Sequence, residues 1–108
     1  MEKINLSDAA RALERLYAYE KIGHLNGHAL SVVNVENRTL DFHAHEASDE
    51  LFYVIEGSFE LETEEGLTPV NAGELIIVPR GKLHRPVVKE LVRVLLIELE
   101  GTLNNANS

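Results

Sequence analysis

The chain has 108 residues, 44% of them apolar, with no cysteine and a formal charge of −8 from 10 Lys and Arg against 18 Asp and Glu. That length and apolar content suit one compact domain with its own core and leave no room for a second. The acidic balance opposes binding to nucleic-acid phosphates and anionic lipid surfaces, and the lack of cysteine excludes disulfides, thiolate metal ligands and a cysteine nucleophile. No charged-then-apolar leader opens the chain, and the apolar stretches fall short of a bilayer span, the one near the C-terminus being interrupted by Arg93. The expectation is a cytoplasmic protein with no nucleic-acid and no membrane partner.

In chain order, Ser7 is a suitable N-cap, and Ala9, Ala10, Leu13, Leu16 and Tyr17 recur at helical spacing. This predicts one short amphipathic helix ending near Tyr19. From Ala29 the pattern turns to strands, expected over residues 29–36, 38–45, 50–56, 58–63, 67–70, 74–78, 83–88 and 91–99. Short strands with close-spaced turns predict an all-β sandwich or barrel. Residues 1–24 read as helix and lead-in, 25–100 as the barrel, and 101–108 as a tail, loose from Asn104 to Ser108.

Within the strands, side chains two apart share a face, so His43 and His45 form a two-toothed clamp. Glu50 lies an odd five residues after His45, so a turn or bulge over Ala47-Ser48-Asp49 must return it to the clamp. Phe52 and Val54 continue the inward face of Glu50 and are expected to line the pocket, while Tyr53 packs on the other face. Gly57-Ser58 reads as a hairpin corner. Glu60, Glu62 and Glu64 alternate with Phe59, Leu61 and Thr63 as the wet face of a half-buried strand.

Gly73 is expected to open a strand, Leu75-Ile76-Ile77-Val78 is apolar on both faces, and Pro79-Arg80-Gly81 forms a tight turn. His84 then points inward as a fourth ligand, and Pro86 favours an edge or bulged position. Arg80, Lys82 and Arg85 read as a solvated loop, with an anion-binding rim as the alternative, and His24 and His28 as solvent or loop histidines. The segment Leu91–Leu99 is apolar on both faces apart from Arg93 and Glu98, which predicts a cover over its outer face. A second subunit is the simplest cover, so a homodimer is expected, with the N-terminal segment crossing over.

These residues carry a family resemblance. His43, His45, Glu50 and Gly57 match the first motif of the cupins, and Gly73, Pro79, Gly81 and His84 match the second. The leading Gly of the first motif is Asn37 here and the closing Asn of the second is Val88, so both departures fall outside the ligand positions. At about 5% per position from average composition, eight matches at fixed spacing arise by chance in far fewer than roughly one sequence in a million. The chain resembles the small single-domain bacterial cupins often labelled mannose-6-phosphate isomerase-like. The Gly23-His24-Leu25-Asn26 lead-in, the Asp49-Glu50-Leu51-Phe52 turn and the Thr102-Leu103-Asn104 tail add to the likeness. The resemblance implies a double-stranded β-helix, or jelly-roll barrel, with a short N-terminal helix.

Three imidazoles and one carboxylate suit one divalent transition metal per chain, whether Fe, Mn, Zn, Ni or Cu, with one or two coordination positions open to a small molecule. The expected function is a metal-dependent small-molecule enzyme, dioxygenase-like or isomerase- or lyase-like, in which a metal-bound water or the Glu50 carboxylate moves protons. The alternatives are a binding or sensing module without turnover and a scaffold that has lost its chemistry. A sugar-phosphate isomerase ranks below an oxygenase, because gripping phosphate takes a cluster of Arg or Lys and only the Arg80, Lys82, Arg85 neighbourhood offers one.

Overall fold

The computed structural model describes residues 1–102, so the expected loose tail, Leu103 and Asn104–Ser108, lies outside the described residues. One helix, α1 (Leu6–Arg11), precedes the strands β1 (Glu20–Leu25), β2 (His28–Val35), β3 (Arg38–Thr39), β4 (Glu50–Glu56), β5 (Ser58–Thr63), β6 (Gly66–Asn71), β7 (Leu75–Val78), β8 (Arg85–Val88) and β9 (Val92–Leu99). They form two antiparallel sheets, one in the order β1-β2-β9-β4-β7 and one in the order β3-β8-β5-β6. The all-β architecture expected from the sequence is the one observed.

Period-two alternation explains the core. Val33, Phe52, Val54, Val94 and Leu96 point inward from the larger sheet and meet Phe59, Leu61, Val70 and Val88 from the smaller one. Full burial of a side chain of this size contributes about 1.5–3 kcal/mol relative to exposure, so this inner layer is the main source of stability. Glu60 and Glu62 stay on the outer face of β5, as the alternation predicts.

Several local expectations are corrected. The helix is capped by Asn5, whose side chain accepts from the Asp8 amide at 2.9 Å, and it ends at Arg11. Ser7 instead turns its hydroxyl to Glu56. Tertiary bonding overrides the helical pattern beyond that point: the Tyr17 amide donates to the Asn34 carbonyl at 2.8 Å, and Tyr17 adopts a φ of 65°. The lead-in contains a strand, β1, paired with β2 across Asn26-Gly27, both at positive φ (48° and 81°). Asn-Gly is the dipeptide that a tight two-residue hairpin selects.

The expected strand over 38–45 shrinks to Arg38–Thr39 plus an isolated bridge between His43 and His84. Gly57 is not a hairpin corner, because β4 and β5 belong to different sheets and the chain crosses from one to the other there. Its φ is 84°, and a Cβ would sit 2.5 Å from the Leu91 carbonyl oxygen. Gly73 lies in the turn before β7, where its amide donates to the Val54 carbonyl at 2.9 Å. Pro86 sits between two strands instead of at an edge. Its carbonyl accepts from Leu40 on the β3 side, where regular pairing covers only Val87 and Val88, so its missing N–H interrupts no ladder bond.

The outer face of the larger sheet is covered in part by α1, where Ala10 buries Val32 and Leu95 with Leu6 and Leu13 beside them. Glu56 at the end of β4 pins the helix, accepting from Arg11 Nε at 2.8 Å and from the Ser7 hydroxyl while also meeting Arg93 Nε at 3.3 Å. The hydrogen bonds from Arg11 and then Ser7 pull its carboxyl down from 4.5 to about 2. A depressed folded-state pKa contributes stability that is complete above the unfolded value and lost as pH falls through the folded one. Wild-type protein is therefore expected to lose more stability than Glu56→Gln between pH 4.5 and pH 2, as measured by urea unfolding at each pH, with the two acid limbs converging once Glu56 is protonated.

Candidate metal centre

The two halves of the motif pattern are joined through backbone. His43 and His84 exchange both hydrogen bonds at 2.9 Å, and the Gly81 amide donates to the His45 carbonyl at 2.8 Å. Glu50 is set opposite Val78 by the β4–β7 pairing, and the Arg80 amide donates to Asp49 Oδ1 at 2.9 Å. The Pro79-Arg80-Gly81 turn thus wraps the segment from His43 to Glu50. Ser48 secures the expected irregularity before Glu50, its hydroxyl accepting from the Leu99 amide at 3.0 Å. At Asn37, where the first motif departs from Gly, the backbone holds a φ of 48°, a conformation Asn tolerates better than most residues.

This framework gathers one ligand atom each from His43, His45, Glu50 and His84 within 4.8 Å of one another. Glu50 and His84 are each 1% exposed, and the His45 side chain, at 14%, is nearer to solvent. The tautomers follow from the outer bonds. His43 Nδ1 lies 2.8 Å from the Asp41 carbonyl and His84 Nδ1 lies 2.8 Å from the Lys82 carbonyl. A carbonyl only accepts, so both Nδ1 atoms carry hydrogen and both Nε2 lone pairs turn to the centre.

His43 and His84 thus turn lone pairs to the centre, where the Glu50 carboxylate and His45 Nε2, 3.6 Å from Glu50 Oε2, join them. His84 Nε2 faces Glu50 Oε1 at 3.1 Å, while His43 Nε2, His45 Nε2 and Glu50 Oε2 are buried with no partner. Burial, offset in part by Glu50, lowers the His45 pKa and favours its neutral form. Buried acceptors converging on one point need a cation between them, and neutral imidazoles with a carboxylate are ligands for a divalent transition metal. The residues present fit such an ion.

The other sequence-predicted residues fall as follows. Phe52 is buried beneath His84, ring centroids 6.4 Å apart, and borders a small apolar cavity of about 30 Å³ in the barrel interior. Val54 is fully buried in the core, and Tyr53 packs on the helix side. Arg80, Lys82 and Arg85 each meet a carboxylate, at Asp49, Glu65 and Glu62 respectively, so the rim's positive charge is matched locally. Arg85 also lies over the Phe42 ring at 4.3 Å. His24 and His28 stay away from the centre, His24 near Glu100 and His28 beside the Asn26 carbonyl.

One buried group was missed. Glu98 is 1% exposed on the inner face of β9, beside Glu50. Burial first and then the Glu50 charge push its carboxyl well above the usual carboxylate range. Burial and the charges of Glu50 and Glu98 likewise push the Tyr19 hydroxyl up. The signal was the alternation of β9 itself, which sets Glu98 on the face of Val92, Val94 and Leu96.

Comparison with known proteins agrees with this geometry. The Cupin domain family, Cupin_2, matches residues 30–98. The chain belongs to the cupin family. A relative in Bacillus subtilis, the uncharacterized protein YdbB, is 32% identical over 82 residues, covering 75% of this chain and 72% of that protein. Among solved structures, a cupin-2 domain containing protein from Shewanella frigidimarina matches with a TM-score of 0.84 and 28% identity over 90% of this chain and 94% of that one. Protein NMB1881 from Neisseria meningitidis matches with a TM-score of 0.80 and 27% identity over 92% of this chain and 100% of that one. No helix among the described residues of this cupin is long and apolar enough to cross a membrane.

A cation that binds only the folded centre adds stability by mass action, about 2.7 kcal/mol at a hundredfold excess over its dissociation constant. Adding Zn²⁺ or Mn²⁺ to chelator-treated protein is therefore expected to raise Tm at pH 7.5. The rise should vanish in His84→Ala and Glu50→Ala. Differential scanning fluorimetry with elemental analysis of each variant measures both effects.

Proposed function

We propose that this cupin is a metal-dependent enzyme acting on a small molecule, with one divalent transition metal held by His43, His45, Glu50 and His84. The observation that carries the reading is that His43, His45, Glu50 and His84 each bring a ligand atom within 4.8 Å of the others, with His43 Nε2, His45 Nε2 and Glu50 Oε2 buried and lacking a hydrogen-bond partner. When bound, the ion supplies Lewis acidity and one or two positions for an oxygen-bearing ligand. Three neutral imidazoles and one carboxylate leave about one net positive charge, which favours a carboxylate, enolate or hydroxy-ketone oxygen.

The chain's own residues do the rest. His43 and His84, oriented by their Nδ1 bonds, hold the geometry fixed. Glu50 has one oxygen against His84 and a second, Oε2, without a partner, which makes it the group to accept a proton from the ligand. Phe52 floors the site under His84, and the partly exposed His45 marks the side from which a ligand enters. The matched charges of Arg80, Lys82 and Arg85 weigh against a phosphate grip and in favour of a ligand recognised mainly at the centre.

An oxygenase is the leading reading. With protein loaded with Fe²⁺ or Mn²⁺, a library of small hydroxy acids and diketones should contain compounds that trigger oxygen uptake, and His43→Ala should abolish the uptake. Turnover without oxygen uptake assigns the protein to the isomerase or lyase class. Ligand-induced Tm shifts with no product across the library overturn the enzyme reading in favour of a binding module.

We also propose a homodimer. α1 covers only part of the larger sheet, leaving Leu75 and Ile77 on β7 at 55% and 56% exposure next to the half-buried Leu51, to which Ile77 is paired. A contiguous apolar face of this kind is the usual mark of a protein contact. Light scattering at micromolar concentration is expected to give twice the chain mass, and Ile77→Lys to give a monomer with the fold intact by circular dichroism.

A further inference from the structure

Glu50 has a second buried carboxyl group beside it, that of Glu98. Among the described residues, the buried side-chain atoms without a partner are Asn34 Oδ1, His43 Nε2, His45 Nε2, Glu50 Oε2 and both oxygens of Glu98. All but the first fall at or beside the centre. The β4–β9 register sets Leu51 against Ile97 and Phe52 against Leu96, and its continuation brings Glu50 beside Glu98. On the other side Glu98 is paired with Ala29, which offers no side-chain partner.

Glu98 also borders a surface cleft of about 280 Å³ with Tyr19, Lys21 and Ser31, but its oxygens are not exposed there. Water in the cleft therefore does not satisfy them. The cluster of mutually close ligand atoms comprises His43, His45, Glu50 and His84 alone, so Glu98 stands outside direct coordination. The Glu50 carboxylate acts on Glu98 through its charge and a side-chain contact, but neither Glu98 oxygen is within full hydrogen-bonding geometry of a protein group, and a buried carboxyl group in that position is costly and calls for a further partner.

We propose that Glu98 is a fifth working residue of the centre, a carboxyl group that hydrogen-bonds a hydroxyl of the ligand held there. The site then selects small hydroxylated acids or ketones over their deoxy counterparts. This rests on the reading of the centre as a metal site that receives a ligand oxygen. The physical basis of selection is that a site built to hydrogen-bond a hydroxyl rejects the analogue lacking it, because the protein's buried polar group is left unpaired.

Acetate and glycolate are the probes, since they share a carboxylate and differ by one hydroxyl. Calorimetric titration of each into metal-loaded wild type, Glu98→Gln and Glu98→Leu measures the preference directly. The preference for glycolate over acetate is expected to fall about tenfold in Glu98→Leu and about threefold in Glu98→Gln, with acetate affinity and metal content held within about twofold. Should Glu98→Leu fail to fold, the near-isosteric Glu98→Gln decides alone. An unchanged preference in fully metallated variants overturns the role of Glu98 and leaves the metal centre standing. Loss of metal from the variants also overturns it, assigning Glu98 to the positioning of Glu50. A wild type that cannot be loaded with metal refutes the reading of the centre itself, and the role of Glu98 with it.

Discussion

The rest of the site depends on the two-way backbone bridge between His43 and His84. Neither residue lies within a long strand, and among the described residues this bridge and the Gly81–His45 bond are the backbone hydrogen bonds that hold the HxH segment against the second motif. Those bonds use the main chain, so the imidazoles are free to turn their Nδ1 hydrogens outward to carbonyls and their Nε2 lone pairs inward. The inward turn of the His43 and His84 lone pairs is thus a product of backbone pairing and carbonyl placement, before any ion is considered. The same pairing explains why glycine serves at Gly81, whose amide must approach His45 closely at a φ of 78°.

The two faces of the larger sheet divide the work of the fold. Its inner face carries the apolar core and, toward the ends of β4 and β9, the polar residues Glu50 and Glu98. Its outer face is closed over Val32 and Leu95 by a helix of six residues, too short to persist alone. Tertiary anchors hold that helix: Glu56 gathers Ser7 and Arg11, and the buried Asn34 side chain donates to the Ala10 carbonyl at 2.8 Å. The helix stops where these anchors stop, which is why the apolar pattern running on to Tyr17 does not become helix.

Much of the site was legible because ligand spacing is a covalent fact. The intervals from His43 through His84 survive any error in strand boundaries, so the four residues could be named although the strand proposed for His43 and His45 does not exist as such. The short strands β5, β7 and β8 were legible from alternation and turn residues. β1 was not, since Glu20-Lys-Ile-Gly-His-Leu25 sits at a sheet edge with most side chains exposed and shows no period-two pattern. Asn26-Gly27 was the local clue. The corner at Gly57 was misread because a positive-φ glycine fits a hairpin and a crossing between sheets equally well, and only the pairing partners of β4 and β5 tell the two apart.

Glu98 shows how a residue can be visible in the sequence and still be assigned no role. Read as a composition, Leu91–Leu99 is an apolar strand with two charged interruptions. Read in register, the two interruptions differ in kind: Arg93 faces outward to Glu56, while Glu98 faces inward beside a metal-ligand candidate. An inward carboxyl on a central strand is expensive, and a fold that only needed a core would fill the position with Val or Leu, as it does at Val92, Val94 and Leu96. The motif ends at the ligands because ligand spacing is what a motif records. The chamber behind them is set by strand register, and its chemistry extends one strand further, to β9.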